Sequence, residues 1–441
     1  MDQPIPALAA LLTEFVFCFR NEVFHTFQAM VVGWIVCPGR RTIAEVWQAT
    51  GRAARRHHAA AYALFGSAKW SWDDLSRVLI RLVAARHAPA GPVWLVVDDT
   101  LCRKRGAKVS FGGFFLDAVT STKRRKNFRF GVNWVLLGVA VALPFRPDRY
   151  FCLPVAWRVY RKKGTPGHLP RTALAADLAR LAAGWLADRE CWLAGDTAYL
   201  NAAVLKGRPG NLRVVGPVRW DAALYDRPPA RRPGQRGPGR KKGDRLPTPR
   251  AMLDTPARYR PRYLDVAFPG GSRRLRVQVV RDILWYTGAG TDPVAVVLVR
   301  DPAGEWRDTA LLATDPTADP ADVIAGYARR WSVEIAFFDS KQFLGLHDPR
   351  VWSEPSVERA HPMAWLVQTL TVVWYAGAGK DGPQVHRDRG WYRDKPGPSF
   401  ADMLGALRLQ HWESRIAGMS GDEDLSPDLK KWLANWLAAV R

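Results

Sequence analysis

Two short apolar runs with acidic ends constrain this chain more than any other feature. Val93–Val97 follows Gly91-Pro92 and ends in Asp98-Asp99-Thr100, and Cys191–Gly195 ends in Asp196. Runs of this length and composition, bounded by turn signals, read as strands. With helical segments around them they belong to a mixed α/β sheet. Strand ends in such a sheet are where functional groups emerge. A simpler role is also open to these aspartates. Asp196 precedes Thr197 and suits a turn or helix cap, and Asp98-Asp99 likewise suits a turn.

The remaining pattern divides the chain. Residues 1–88 read as helical, with apolar periodicity over Pro6–Met30, Ile43–Leu64 and Trp72–Ala85, and with Thr42 and Ser71 as caps. Residues 89–219 hold further strand patterns at Gly112–Val119, Phe128–Leu143, Tyr150–Tyr160 and Leu212–Val218, with helices over Arg171–Asp188 and Leu200–Leu205. Residues 220–307 read as a β-rich insertion, with strands at Arg262–Phe268, Arg274–Val280, Ile283–Thr287 and Val294–Arg300. It opens on a Pro/Gly-rich basic loop containing Arg231, Arg232, Arg236, Arg240, Lys241, Lys242 and Arg245. Residues 308–376 resume the core with a strand at Ala310–Thr314 and a long helix over Pro320–Leu346, and residues 377–441 are again helical.

That long helix carries Tyr327, Arg330, Glu334 and Lys341. At about 100° per residue the four fall within a sector of roughly 60°. A carboxylate among cations on one helix face can hold a metal ion against a phosphate backbone. An ordinary solvated helix face is the plainer alternative. Asp99, Asp196 and Glu334 together would supply three carboxylates, enough for two Mg²⁺ or Mn²⁺ ions about 4 Å apart. Hard cations favour such oxygen ligands.

Charge supports a polyanionic partner. The 441 residues carry a formal net charge of +24, which attracts nucleic acid. Arg40, Arg41, Arg52, Arg55 and Arg56 cluster in the N-terminal region and suit contact with a DNA backbone. The five cysteines form no C-x-x-C pair, which argues against a zinc site or disulfide scaffold and fits a reducing cytosol. No signal peptide or lipid anchor is expected, and the apolar run Val132–Pro144 is too short to span a bilayer.

The chain resembles the DDE transposases of bacterial insertion sequences whose signature is Tyr-x2-Arg-x3-Glu-x6-Lys. Tyr327, Arg330, Glu334 and Lys341 match it at every position. The stretch Asp98-Asp99-Thr100 with Lys104-Arg105-Gly106 is similar to the first-aspartate region of that group, and Gly195-Asp196-Thr197-Ala198-Tyr199 to the second. The resemblance covers residues 90 to 375. It implies a ribonuclease-H-like mixed-sheet core with a β-rich insertion, flanked by helical N- and C-terminal regions. It also implies cut-and-paste transposition with two Mg²⁺ or Mn²⁺ ions, on double-stranded DNA comprising terminal inverted repeats and target. Asp99, chosen over Asp98 as the aspartate before threonine, would join Asp196 and Glu334 as metal ligands. Tyr327, Arg330 and Lys341 would hold DNA phosphates, as would Arg231, Arg232, Arg236, Arg240, Lys241 and Lys242 of the basic loop.

A homodimer on paired DNA ends and a bacterial cytoplasmic location, at the nucleoid when bound, follow from the same resemblance. Trp432, Leu433, Trp436 and Leu437 are candidates for the dimer contact, and Trp285 or Trp306 for stacking on a base. Two other function classes share these features: a DNA-binding protein that has left transposition, and a non-mobile metal-dependent nuclease of the same fold.

Overall fold

The computed structural model describes residues 4–53, 56–117, 119–230, 237–382 and 395–420, together with Ser426, Leu429 and Leu433. Five helices come first: α1 (Pro6–Thr13), α2 (Asn21–Val36), α3 (Ile43–Ala49), α4 (Ala59–Gly66) and α5 (Trp72–His87). Thr42 and Ser71 cap α3 and α5 as the sequence predicts, their hydroxyls accepting from the Glu45 and Asp73 N–H groups at 3.2 and 3.0 Å. The expected Pro6–Met30 helix is instead broken between α1 and α2. A tight turn at Val16–Cys18 leads into extended Phe19, whose ring stacks on Phe27 at 4.5 Å. Aromatic packing there overrides helical continuity.

The sheet strands are β1 (Val93–Arg103), β2 (Gly113–Leu116), β3 (Phe128–Leu143), β4 (Arg146–Val159), β5 (Cys191–Ala194) and β6 (Leu212–Pro217). Helices α6 (Arg171–Trp185) and α7 (Ala202–Leu205) lie between β4 and β6. Then come α8 (Pro249–Leu253), β7 (Arg262–Phe268), β8 (Gly271–Leu284), α9 (Tyr286–Ala289), β9 (Pro293–Arg300) and β10 (Thr309–Ala313). The last helices are α10 (Pro320–Ala328), α11 (Ser332–Phe343), α12 (Glu354–Ala360), α13 (Met363–Gly377) and α14 (Phe400–Ser420).

One ten-stranded sheet runs β2, β3, β1, β5, β6, β10, β9, β8, β7, with β4 also paired to β3. β1, β5 and β6 are mutually parallel, and the other pairings are antiparallel. This mixed sheet with flanking helices is an α/β architecture consistent with a ribonuclease-H-like core. The β-rich insertion is therefore an extension of the core sheet. β10, which follows it in sequence, pairs with β6 on one side and β9 on the other. Of the two strand patterns expected at 274–280 and 283–287, β8 takes in the first and ends at Leu284, and Tyr286 and Thr287 begin α9 instead. The register of β8 shifts between Val280 and Ile283, where Asp282 takes a φ of 59°.

β1 presents alternate residues to the two faces of the sheet. One face meets α11, which packs on β1 and β4, and the other meets α6. Gly326 of α10 lies against the Trp94 ring of β1, which leaves no room for a Cβ there. No helix among the described residues is long and apolar enough to cross a membrane.

Candidate active site

The parallel register of β1 and β5 pairs Val93 with Cys191 and Val96 with Ala194. Carried two residues past the strand end, the same offset of 98 sets Asp98 beside Asp196. Equivalent residues of parallel neighbours point to the same face, so both carboxylates face the side covered by α10 and α11. Asp196 is half-buried, and its Oδ1 accepts from the Ala198 and Tyr199 N–H groups at 2.8 and 3.2 Å.

The helix expected over 320–346 is segmented. α10 and α11 are joined by a tighter 3₁₀ turn at Arg329–Trp331, a form common at helix ends and rarer within a helix. Asp319 caps α10 through the Ala321 N–H at 2.7 Å, with Pro320 in the first turn. The tight turn delivers Arg330 inward. Its guanidinium, 7 % exposed, meets Asp98 Oδ2 at 3.4 Å and Glu334 Oε1 at 3.2 Å. Arg330 therefore bridges the strand carboxylate and the helix carboxylate.

Electrostatics follow from this crowding. Burial raises the Asp98 carboxyl to about 7; the Asp99 N–H opposes the rise, the Asp99 and Asp196 charges add to it, and Arg330 offsets it. Burial works against the Arg330 charge, but Tyr327, Asp98 and Glu334 outweigh it and keep its pKa above the ordinary value. Burial raises the Tyr327 phenol, which stays protonated beside Arg330. Lys341 reaches the same face of β1 further along, its Nζ donating to Thr100 Oγ1 at 2.6 Å, and burial lowers its pKa. The four motif residues thus line one side of β1, with Tyr327, Arg330 and Glu334 gathered at Asp98 and Lys341 apart from them.

Asp99 points the other way. It is held by Tyr199, Asn133 and Arg171 on the α6 side of the sheet. Arg330 joins Glu334 to Asp98 and not to Asp99. Adjacent residues on a strand cannot share a face, and the choice depends on which face the α10–α11 pair covers.

Asp98, Asp196 and Glu334 are the groups that could hold a divalent cation. All are hard oxygen donors of the kind that Mg²⁺ and Mn²⁺ favour. Among the described residues no group of three or more His, Cys, Asp or Glu side chains is already gathered closely enough to hold an ion. Arg330 supplies the positive charge between two of the three.

Other expected contacts are scattered. Arg231, Arg232 and Arg236 lie outside the described residues. Arg240 is exposed and pairs with Asp244 at 3.1 Å, Lys241 is exposed, and the Lys242 ammonium sits 3.8 Å from the Tyr225 ring centroid. In the N-terminal cluster Arg41 is buried, with Nη1 donating to Gly39 O and its N–H to Asp348, so it serves the fold and not a DNA backbone. Arg40 and Arg56 are exposed, Arg52 is half-buried and Arg55 is outside the described residues. Trp306 is partly exposed against Phe268 and Arg273. Trp285 is half-buried, its ring filling the space that a Cβ on Gly288 would need. Leu433 packs inside its own chain on Leu409, Trp412 and Ile416; Trp432, Trp436 and Leu437 are outside the described residues.

Sequence reasoning missed one basic surface. A cleft of about 590 Å³ beside the Lys341 end of the site is lined by Arg40, Arg103, Arg105, Lys108, Arg350 and the exposed Trp352. Its floor is fixed by Lys104, whose Nζ donates to His347 O and Pro349 O at 2.7 and 2.9 Å. Lys104-Arg105-Gly106 is visible as a basic run, but its partners come from two distant segments, at Arg40 and at His347–Trp352.

Compared with known protein families, the chain matches the one described as "DDE superfamily endonuclease" over residues 14–288. That span is more than half of the chain and contains Asp98, Asp99 and Asp196; Glu334 lies beyond it. No match is found among curated proteins.

Proposed function

Because this chain belongs to the DDE superfamily of endonucleases, whose substrate is DNA and whose members generally use divalent metal ions, we propose that it is a transposase. On this reading it cleaves DNA at the ends of an insertion sequence and joins those ends to target DNA. The observation that carries the reading is the pair of contacts that Arg330 makes to Asp98 and Glu334, on the face of β1 where the register of β5 sets Asp196 beside Asp98.

Asp98, Asp196 and Glu334 would hold two Mg²⁺ or Mn²⁺ ions. Such ions supply an activated oxygen nucleophile and charge stabilisation at a phosphodiester. The chain's own residues do the positioning. Arg330, buried and shared between Asp98 and Glu334, sets the two carboxylates relative to each other. Tyr327 stays a neutral donor beside it and is placed to meet a phosphate oxygen. Lys341, held at Thr100, marks the direction in which the DNA backbone leaves the carboxylates. The cleft of Arg103, Arg105, Lys108 and Arg350 continues that direction with positive charge, and the loop holding Arg231, Arg232, Arg236, Arg240, Lys241 and Lys242 adds to the phosphate contacts. Asp98 replaces Asp99 in this assignment because Arg330 joins Glu334 to Asp98. A homodimer is part of the proposal, because two ends must be cut and joined together.

The test is excision in cells. A plasmid carries a marker between the DNA flanks that border this gene, and the protein is supplied separately as wild type or Glu334→Gln. Excision by the wild type alone is the expected result. No excision by either, with tight binding to those flanks, would leave a DNA-binding protein without the chemistry. Nicking without paired-end excision would leave a non-mobile nuclease.

A further inference from the structure

The site just described leaves Asp99 without a role, yet it is among the best-connected carboxylates in the fold. Its Oδ1 accepts from the Tyr199 hydroxyl at 2.9 Å. Its Oδ2 accepts from Asn133 Nδ2 at 3.2 Å and lies 3.3 Å from Arg171 Nη1. Asn133 and Tyr199 are 3 % and 2 % exposed, and Arg171, the first residue of α6, also lies over the Tyr160 ring at 5.1 Å. β1, β3, α6 and the turn after β5 are thus tied to one side chain.

Tyr199 does more than donate to Asp99. Its backbone N–H, with that of Ala198, donates to Asp196 Oδ1. The turn closes tightly enough that a Cβ on Gly195 would lie 2.9 Å from the Tyr199 Cβ. Tyr199 therefore has its hydroxyl on Asp99 within β1 and its amide on Asp196 after β5. Asp196 Oδ1 is occupied by two N–H donors, and Oδ2 has no protein partner among the described residues.

We propose that Asp99 and Tyr199 are positioning residues for the metal carboxylates. Asp99 fixes the Tyr199 ring, Tyr199 fixes the turn, and the turn aims Asp196 Oδ2 at the face where Asp98 stands. This inference rests on the assignment of Asp98, Asp196 and Glu334 as the metal-holding set. Groups that orient a ligand from behind typically alter metal affinity about 10- to 100-fold when removed.

The experiment is a Mn²⁺ titration of the full-length protein without DNA, read by the electron paramagnetic resonance signal of free Mn²⁺. Wild type is compared with Tyr199→Phe, Asp99→Asn, Asp98→Asn and Asp196→Asn. Tyr199→Phe removes one hydroxyl and keeps the buried ring, so its melting temperature in chelator should match wild type. Its Mn²⁺ affinity should fall about 10- to 100-fold, as should that of Asp99→Asn, while Asp98→Asn and Asp196→Asn lose binding. A Tyr199→Phe affinity within twofold of wild type overturns the positioning role and leaves the carboxylate assignment standing. Loss of binding in Asp99→Asn with binding kept in Asp98→Asn makes Asp99 the ligand and overturns both. A wild type that binds no Mn²⁺ at millimolar concentration removes the metal assignment and this inference with it.

Discussion

Asp98→Asn should stabilise the metal-free protein, and by an amount that depends on pH. The carboxyl ionises near 3.8 in an unfolded chain and near 7 in the folded one, chiefly because it is buried. Its side chain is 19 % exposed, so solvent screening is limited. The folded state binds the extra proton between these values. Stability is therefore fullest below pH 3.8, falls as pH rises toward 7, and stays reduced above it. At about 1.4 kcal/mol for each tenfold change in proton affinity, the ionised carboxylate costs about 4 kcal/mol at pH 8 and about 1 kcal/mol at pH 4.5. Asparagine stands in for the neutral form and removes that penalty. An unfolding entropy of about 2.1 cal/mol/K per residue gives roughly 0.9 kcal/mol/K for this chain. The variant should then melt about 4 °C above wild type at pH 8 and about 1 °C above it at pH 4.5. Scanning calorimetry in the presence of a chelator measures both gaps. A gap equal at the two pH values, or a variant less stable at pH 8, would refute the reasoning that burial and neighbouring charge load this carboxylate.

Other consequences are equally direct. Glu334→Gln should abolish strand cleavage and leave binding of the DNA ends within about twofold, read by gel shift and cleavage on one substrate; retained cleavage removes Glu334 from the metal set. Arg105, Lys108 and Arg350 are exposed in the basic cleft. Their joint replacement by alanine should reduce the slope of log affinity against log salt by about 3, and an unchanged slope would place DNA elsewhere. Deleting residues 231–242 should flatten the slope in the same way if the insertion loop touches phosphates. Gly326→Ala should destabilise the fold by about 1–3 kcal/mol, the usual penalty for overpacking, because the new methyl meets the Trp94 ring; a chemical melt within error of wild type would show that α10 can shift off β1.

Much of the fold was legible because local signals agreed with the packing. β3, β7 and β9 lie where apolar runs and β-branched residues placed them, and β1 starts where expected but runs on to Arg103, so that Asp98 and Asp99 stand within the strand and not at its end; Thr42 and Ser71 cap as their chemistry predicts. The helix-face argument gathered Tyr327, Arg330 and Glu334, but an ideal helix missed the 3₁₀ turn that turns Arg330 inward. Asp98 against Asp99 was beyond reach, since a period of two says that they part and not which one meets α11. Membership of the insertion strands in the core sheet was hidden for a similar reason. Nothing local to Thr309–Ala313 says that it pairs on both edges. Arg41 looked like its exposed neighbours because burial is decided by Asp348, 307 residues away.

The double pairing of β10 also sets an order of events during synthesis. β1, β5 and β6 can join as soon as residue 217 has left the ribosome, which brings Asp98 and Asp196 together early. The sheet stays open until Thr309–Ala313 arrives to close it, and Glu334 follows 138 residues after Asp196. At about 5–20 residues per second that interval is roughly 7–28 s. A nascent chain thus acquires two of its three acidic groups, and part of its basic surface, well before the third. On the function proposed above, an unfinished copy would hold DNA before it could cut it, and a copy truncated anywhere before α11 would never cut.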